Sequence, residues 1–285
     1  RFLAIFILPV LLAACHQGDV GSRPTADNVL RMTLSAEPPT LDWSLVTDNV
    51  SITVIQNIME GLTQFDENLD PAPALAERWT VSPDGTTYTF YLRRDARWTD
   101  GKRLTASDFV YAWRRLLDPK TGAEYAYFLY DVENAREFNT GRLTDPSKIG
   151  VRALAENILE VKLGKPIVFF PALTTFAVTY PLRRDVIERY GDHWTDPENL
   201  VTLGPFRVHR WRHEYKLTLA ANEHYYGGRP NIDEIEMFVV NERTTALTLY
   251  ETGDIDLVSL SPEAIPSYFD KKDFHRAPLF RGYYF

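Results

Sequence analysis

The chain has 285 residues, 45% of them hydrophobic, and its 31 basic and 39 acidic residues give a formal net charge of −8. That composition supports a sizeable core and argues against a nucleic-acid partner, which would require a concentrated positive surface. One cysteine excludes an internal disulfide, and the six histidines are scattered, with His209 and His213 in a stretch that reads as strand, so no metal-ligand cluster is expected.

Residues 2–12 form an apolar run interrupted by Pro9 and followed by Ala13, Ala14 and Cys15. A core of about ten apolar residues suits a signal peptide, whereas a membrane span needs roughly 20. Residues 1–14 therefore read as a lipoprotein leader, with Cys15 as the lipidation site that anchors the protein to the membrane. Residues 15–28, rich in polar, Gly, Ser and Pro residues, read as a flexible tether. A strand is predicted at 29–35, a Pro-rich loop at 37–49, and a short helix at 51–59 with Ile52, Ile55, Ile58 and Met59 on one side, ending near Gly61.

Residues 73–115 carry the strongest local signals. Thr87, Thr89 and Tyr91 alternate with Tyr88, Phe90 and Leu92, the period-two pattern of a strand with two different faces. Asp84-Gly85 and Asp100-Gly101 are tight turns in which glycine takes the positive φ. Thr105 is placed to cap a helix with Asp108 in its first turn. Phe109, Trp113, Leu116 and Leu117 then repeat at helical spacing until Asp118-Pro119 stops it. Paired strands follow at 149–154 and 158–163 around Glu156-Asn157, then a short apolar helix at 167–175 and another at 184–191. Strands at 206–212, 216–220 and 235–240 precede a helix at 244–251. Mixed elements without repeats predict an α/β protein with two structural units. There is no G-x-S-x-G, H-E-x-x-H or Walker loop, so an exported enzyme is disfavoured. The chain begins with arginine and closes on Tyr283-Tyr284-Phe285, which reads as the opening of a strand, so both ends are expected to be cut.

The 73–115 run, PALAERWTVSPDGTTYTFYLRRDARWTDGKRLTASDFVYAWRR, resembles the bacterial extracellular solute-binding proteins of the oligopeptide and dipeptide class, family 5. The likeness extends to EPPTLD at 37–42, Gly150-Val151 with Ala153, Trp194, NLVTLGPF at 199–206, Asn222 with Tyr225-Tyr226, and YETGDID at 250–256. The resemblance implies a periplasmic-binding-protein-like α/β fold of class II (cluster C). Residues 29–59 and 185–285 would form one discontinuous lobe, residues 60–184 an inserted α+β subdomain, and the second lobe would lie beyond this chain. In such proteins two lobes close on a ligand like a flytrap.

The function implied is that of a lipid-anchored substrate-binding component of an ABC importer in the periplasm or cell envelope. As a monomer without cofactor or catalytic residues, it would hold oligopeptides through their main-chain groups and pass them to the permease and ATPase subunits. A same-family ligand of another kind (a nickel complex, haem, an opine or a murein peptide) and a truncated non-functional fragment are the alternatives. By the resemblance, the ligand-binding candidates are Thr47, Asp48 and Asn49 in the loop after Thr40-Leu41-Asp42, then Tyr125, Ser259, Ser261 and Tyr284. Thr47 to Asn49 also read as a solvated turn, and Tyr125 also as a member of an aromatic cluster with Tyr127, Phe128 and Tyr130. Trp79, Trp98, Trp113 and Trp211 are expected in the core, and Arg93, Arg94, Arg97, Lys102 and Arg103 on a solvated surface.

Overall fold

The computed structural model describes residues 28–276. The 1–14 leader, Cys15, the tether up to residue 27 and Tyr284 lie outside the described residues.

Strand β1 (Val29–Leu34) leads through a loop into helix α1 (Asn49–Ile58). The Asp48 carboxylate accepts the Ser51 N–H at 2.8 Å and so pairs one of the amides that a first turn leaves free. The helix consequently starts two residues before the span read from its apolar positions, and it ends at Ile58, ahead of Gly61. The hairpin β2 (Thr63–Phe65) and β3 (Pro71–Pro73) follows, then β4 (Ala76–Val81), none of which shows a clear period in sequence. Strand β5 (Thr87–Leu92) buries Tyr88, Phe90 and Leu92 on one face, as the alternation requires. The turns before and after it hold Gly85 and Gly101 at φ of +71° and +84°.

Helix α2 (Ala106–Leu117) opens on a capping box in which the Thr105 N–H donates to the Asp108 carboxylate at 2.8 Å. It buries Phe109, Ala112, Trp113, Leu116 and Leu117. A 3₁₀ segment (Glu124–Leu129) and the short α3 (Ala135–Asn139) lead to β6 (Val151–Ala155) and β7 (Ile158–Lys162). The helix expected at 167–175 is reduced to α4 (Phe170–Leu173), because the Thr174 and Thr175 hydroxyls donate back to the Pro171 and Ala172 carbonyls and end it. Helix α5 (Arg184–Tyr190), strands β8 (Phe206–Arg212), β9 (Lys216–Ala221) and β10 (Glu234–Val239), helix α6 (Arg243–Glu251) and the turn of helix α7 (Ile265–Tyr268) complete the described chain.

Among the described residues the strands form two four-stranded sheets and one hairpin. The first sheet has the order β1-β10-β9-β8, with β1 parallel to β10 and the remaining pairs antiparallel. The second is wholly antiparallel in the order β4-β5-β7-β6, with α2 packed against β6 and β7.

The end of α1 joins these parts. The Gly204 N–H donates to the Ile58 carbonyl at 2.7 Å, and the Asn222 amide donates to the Gly204 carbonyl at 2.8 Å. One residue past Met59, the buried Glu60 carboxylate accepts the Tyr225 and Tyr226 hydroxyls at 2.5 and 2.6 Å. Burial, and then the negative charge of Glu60, push both phenols above the usual tyrosine pKa, so they stay protonated as donors. The Arg93 guanidinium lies 4.5 Å from the centre of the Tyr226 ring while its Nε donates to the Ala74 carbonyl at 2.6 Å. Arg93 is thus part of the joint between the sheets and not of a solvated surface. Trp98 and Trp113 are fully buried, but Trp79 and Trp211 are only half-buried, and the Trp211 indole donates to Glu37 at 2.9 Å.

A Cβ at position 204 would stand 2.5 Å from the Ile58 carbonyl carbon and 2.6 Å from the Met59 nitrogen, both backbone atoms that cannot step aside. Gly204→Ala is therefore expected to lower stability by about 1–3 kcal/mol. A urea-unfolding midpoint equal to that of the parent would refute this close-approach role.

Candidate functional site

The loop between β1 and α1 is pinned from below. The Asp42 carboxylate accepts the Ser44 N–H at 3.0 Å and both terminal nitrogens of Arg115, on α2, at 2.9 and 2.6 Å. The two side chains are only 8% and 19% exposed, so this is a largely desolvated bidentate pair. Next to it Trp43 is fully buried and meets Trp194 edge-on, with ring centres 5.0 Å apart at 83°. Val46 is buried as well. Leu45 between these anchors is exposed, and after Val46 Thr47 and Asn49 are exposed while Asp48 is half-buried. Asp48 and Asn49 read from sequence as part of the loop, in contact with ligand or as a solvated turn; the Asp48 carboxylate is the cap of α1, and Asn49 is the first helical residue.

Tyr125 sits in the 3₁₀ segment and is half-buried. Its ring packs against Tyr127, Phe128 and Phe176 with centre distances of 5.9, 5.5 and 5.7 Å, while its hydroxyl donates to the Thr47 carbonyl at 3.3 Å. Ring and hydroxyl thus have separate roles: the ring belongs to an aromatic cluster and the hydroxyl reaches the loop. Phe176 was not identified from sequence, where only its position one residue past an apolar run marked it. It stacks on Phe128 at 4.5 Å and 14°, which fixes the surface on which Tyr125 rests.

Ser259 and Ser261 are held elsewhere. The Asp256 and Leu257 amides donate to the Arg31 carbonyl at 2.8 and 3.2 Å, and Leu257 forms a parallel bridge with Met32. Residues 256–257 therefore cover the outer edge of β1. Beyond them Ser259 is exposed and Ser261 half-buried, and the Ser261 carbonyl accepts the Ala264 and Ile265 amides as the chain turns into α7. The structure brings Tyr125 onto Thr47, ties Ser259 and Ser261 to the β1 side, and does not describe Tyr284. Among the described residues no group of three or more His, Cys, Asp or Glu side chains is placed to hold a metal ion. No described helix is long and apolar enough to cross a membrane. A fixed loop with exposed main-chain groups beside a tyrosine hydroxyl can hold a solute by hydrogen bonds.

The family model for bacterial extracellular solute-binding proteins, family 5 (middle region), matches residues 70–285. The dipeptide-binding protein DppE of Bacillus subtilis is 31% identical over 251 residues, covering 88% of this chain and 46% of that protein. The probable deoxycholate-binding periplasmic protein YgiS of Escherichia coli is 32% identical over 272 residues, 94% of this chain and 51% of its own. Among solved structures, the substrate-binding domain of an oligopeptide ABC transporter from Bacillus anthracis superposes with a TM-score of 0.81 at 38% identity. It covers 87% of this chain and 48% of that one. The chain spans about half the length of the curated relatives it matches.

Removing one member of a desolvated ion pair strands the other, at a typical cost of about 3–5 kcal/mol, and partial exposure places this pair toward the lower end. Arg115→Ala is expected to lose that much stability and Asp42→Asn/Arg115→Ala to recover part of it. Additive effects in the double-mutant cycle would show that the pair does not hold the loop.

Proposed function

Because the chain belongs to family 5 of the bacterial extracellular solute-binding proteins, we propose that it is part of the substrate-binding component of an ABC importer and that its ligand is an oligopeptide. Residues 29–59 and 185–285 form one lobe, with 60–184 inserted, and this lobe supplies one wall of a cleft. The protein captures peptides outside the cytoplasm and delivers them to the membrane permease, without bond-making chemistry of its own. The observation that carries the reading is the Tyr125 hydroxyl on the carbonyl of Thr47, an exposed residue of a loop fixed by Asp42 and Arg115. An extended peptide shares its main-chain groups with every other peptide, so a rigid loop offering hydrogen bonds favours broad selectivity.

Calorimetric titration of the protein made from its whole reading frame, without the leader, against tri- to pentapeptides tests this. Saturable binding is expected, and Tyr125→Ala should weaken it by roughly 1 to 3 kcal/mol. Unchanged affinity together with a lowered melting temperature would confine Tyr125 to the aromatic cluster. The likeness to a deoxycholate-binding protein, as close as that to the dipeptide binder, favours a second reading in which the ligand is a compact amphipathic anion. Binding of deoxycholate and not of peptides in the same titration would select it.

Cys15 carries the lipid that holds the protein at the cell envelope, with the stretch after it as tether. Cys15→Ser is expected to abolish labelling by radioactive palmitate in cells. A variant that still takes up the label would overturn the anchor.

A further inference from the structure

The outer flank of α2 carries exposed Ser107 and half-buried Tyr111 and Arg114 at helical spacing, away from the buried stripe of Phe109, Trp113 and Leu116. These side chains line one wall of a groove of about 650 Å³, whose other walls include Ser147, Arg152 on β6 and Arg184 at the start of α5. Arginines from three separate elements therefore line one concave site. Arg114 Nε is buried without a hydrogen-bond partner, which is costly for a charged group and unusual in a folded protein. Arg152 stands opposite Glu160 in the β6–β7 register, yet neither Arg152 nor Arg114 closes an ion pair among the described residues. Arg184 lies at the exposed rim and is paired with Glu188 at 2.6 Å.

Asp108 also lines the groove and Asp145 stands near Arg114, but both carboxylates have other duties. Asp108 accepts the Thr105 amide in the capping box, and Asp145 accepts the Ser147 N–H at 2.9 Å as a helix cap. Burial draws the Arg114 pKa below the ordinary arginine value, and Asp145 offsets this only in part. The buried Nε is closed to the groove, but an anion beside the Arg114 side chain would add to the compensation that Asp145 supplies.

We propose that this groove binds a phosphate group. Guanidinium forks on two walls and the hydroxyls of Ser107, Tyr111 and Ser147 offer more donors, in more directions, than the two oxygens of a carboxylate accept, whereas a tetrahedral phosphate can accept from several walls at once. The site is distinct from the loop beside Tyr125. Consecutive residues of α2 serve the two places, Arg115 inward to Asp42 and Arg114 outward to the groove.

Two sources carry this chemistry, a free phosphorylated solute and a phospholipid headgroup. The protein made from its whole reading frame, without the leader, would be titrated with inorganic phosphate by calorimetry. It would also be sedimented with phosphatidylglycerol vesicles, using phosphatidylcholine vesicles as reference. Saturable phosphate binding, weakened about tenfold or more by Arg152→Gln and by Arg114→Gln, is expected. Arg152 is exposed, so its variant tests the site without threatening the fold. Phosphate binding with no preference between the vesicles assigns a soluble ligand. Retention on phosphatidylglycerol that both variants lose assigns the headgroup. No saturable phosphate binding and no vesicle retention, or binding that both variants preserve, would overturn the proposal.

Discussion

The bidentate pair between Asp42 and Arg115 is the interaction on which the candidate site depends. Phe109, Trp113 and Leu116 lock α2 into the core, and Arg115 projects from that fixed helix to hold the only acidic group of the Thr40-Leu41-Asp42 turn. With both charges largely out of water, the attraction is little screened and the planar fork admits one orientation of the carboxylate. Trp43 and Trp194 then fix the backbone laterally, and Asp48 starts α1 at a defined residue. The position of Thr47 follows from these three constraints and not from any bond made by its own side chain.

A second polar centre governs how the sheets meet. Glu60 sits between α1 and β2, Tyr225 and Tyr226 follow β9 of the first sheet, and Arg93 follows β5 of the second. A buried carboxylate is tolerated here because two hydroxyls donate to it, with Arg93 close by on the Tyr226 ring. Asp42–Arg115 and Glu60–Tyr225–Tyr226 thus lie on either side of α1 in sequence, and both tie one part of the chain to another far from it.

Where local chemistry alone determined an element, the sequence was legible. Strand β5 and helix α2 were found to within a residue or two, because alternation, helical spacing, turn glycines and a capping pair all agreed. Strand β4 was missed: only Ala76 in AERWTV is fully buried, and an irregularity between Ala76 and Arg78 breaks the period. The capping role of Asp48 was not legible, because an acidic residue near the end of a loop reads as a ligand contact or a solvated turn until the Ser51 amide is placed beside it. Tyr125 was singled out through resemblance, but its contacts with Thr47 and Phe176 join residues that share no local pattern. Arg93 looked like surface because its partner, Tyr226, is far away in the chain.

The parallel pairing of β1 with β10 has a consequence for assembly. Val29 lies beside Glu234 in the finished sheet, so a loop of roughly 200 residues must close before the first strand finds its partner. The antiparallel sheet β4-β5-β7-β6 has no such delay, since all its strands fall within one stretch in the middle of the chain. During synthesis, N-terminus first, β1 would wait unpaired while that sheet and α2 consolidate behind it. Arg115 would then already be in place to receive Asp42, so the middle of the chain becomes the template on which its earliest segment is finally docked.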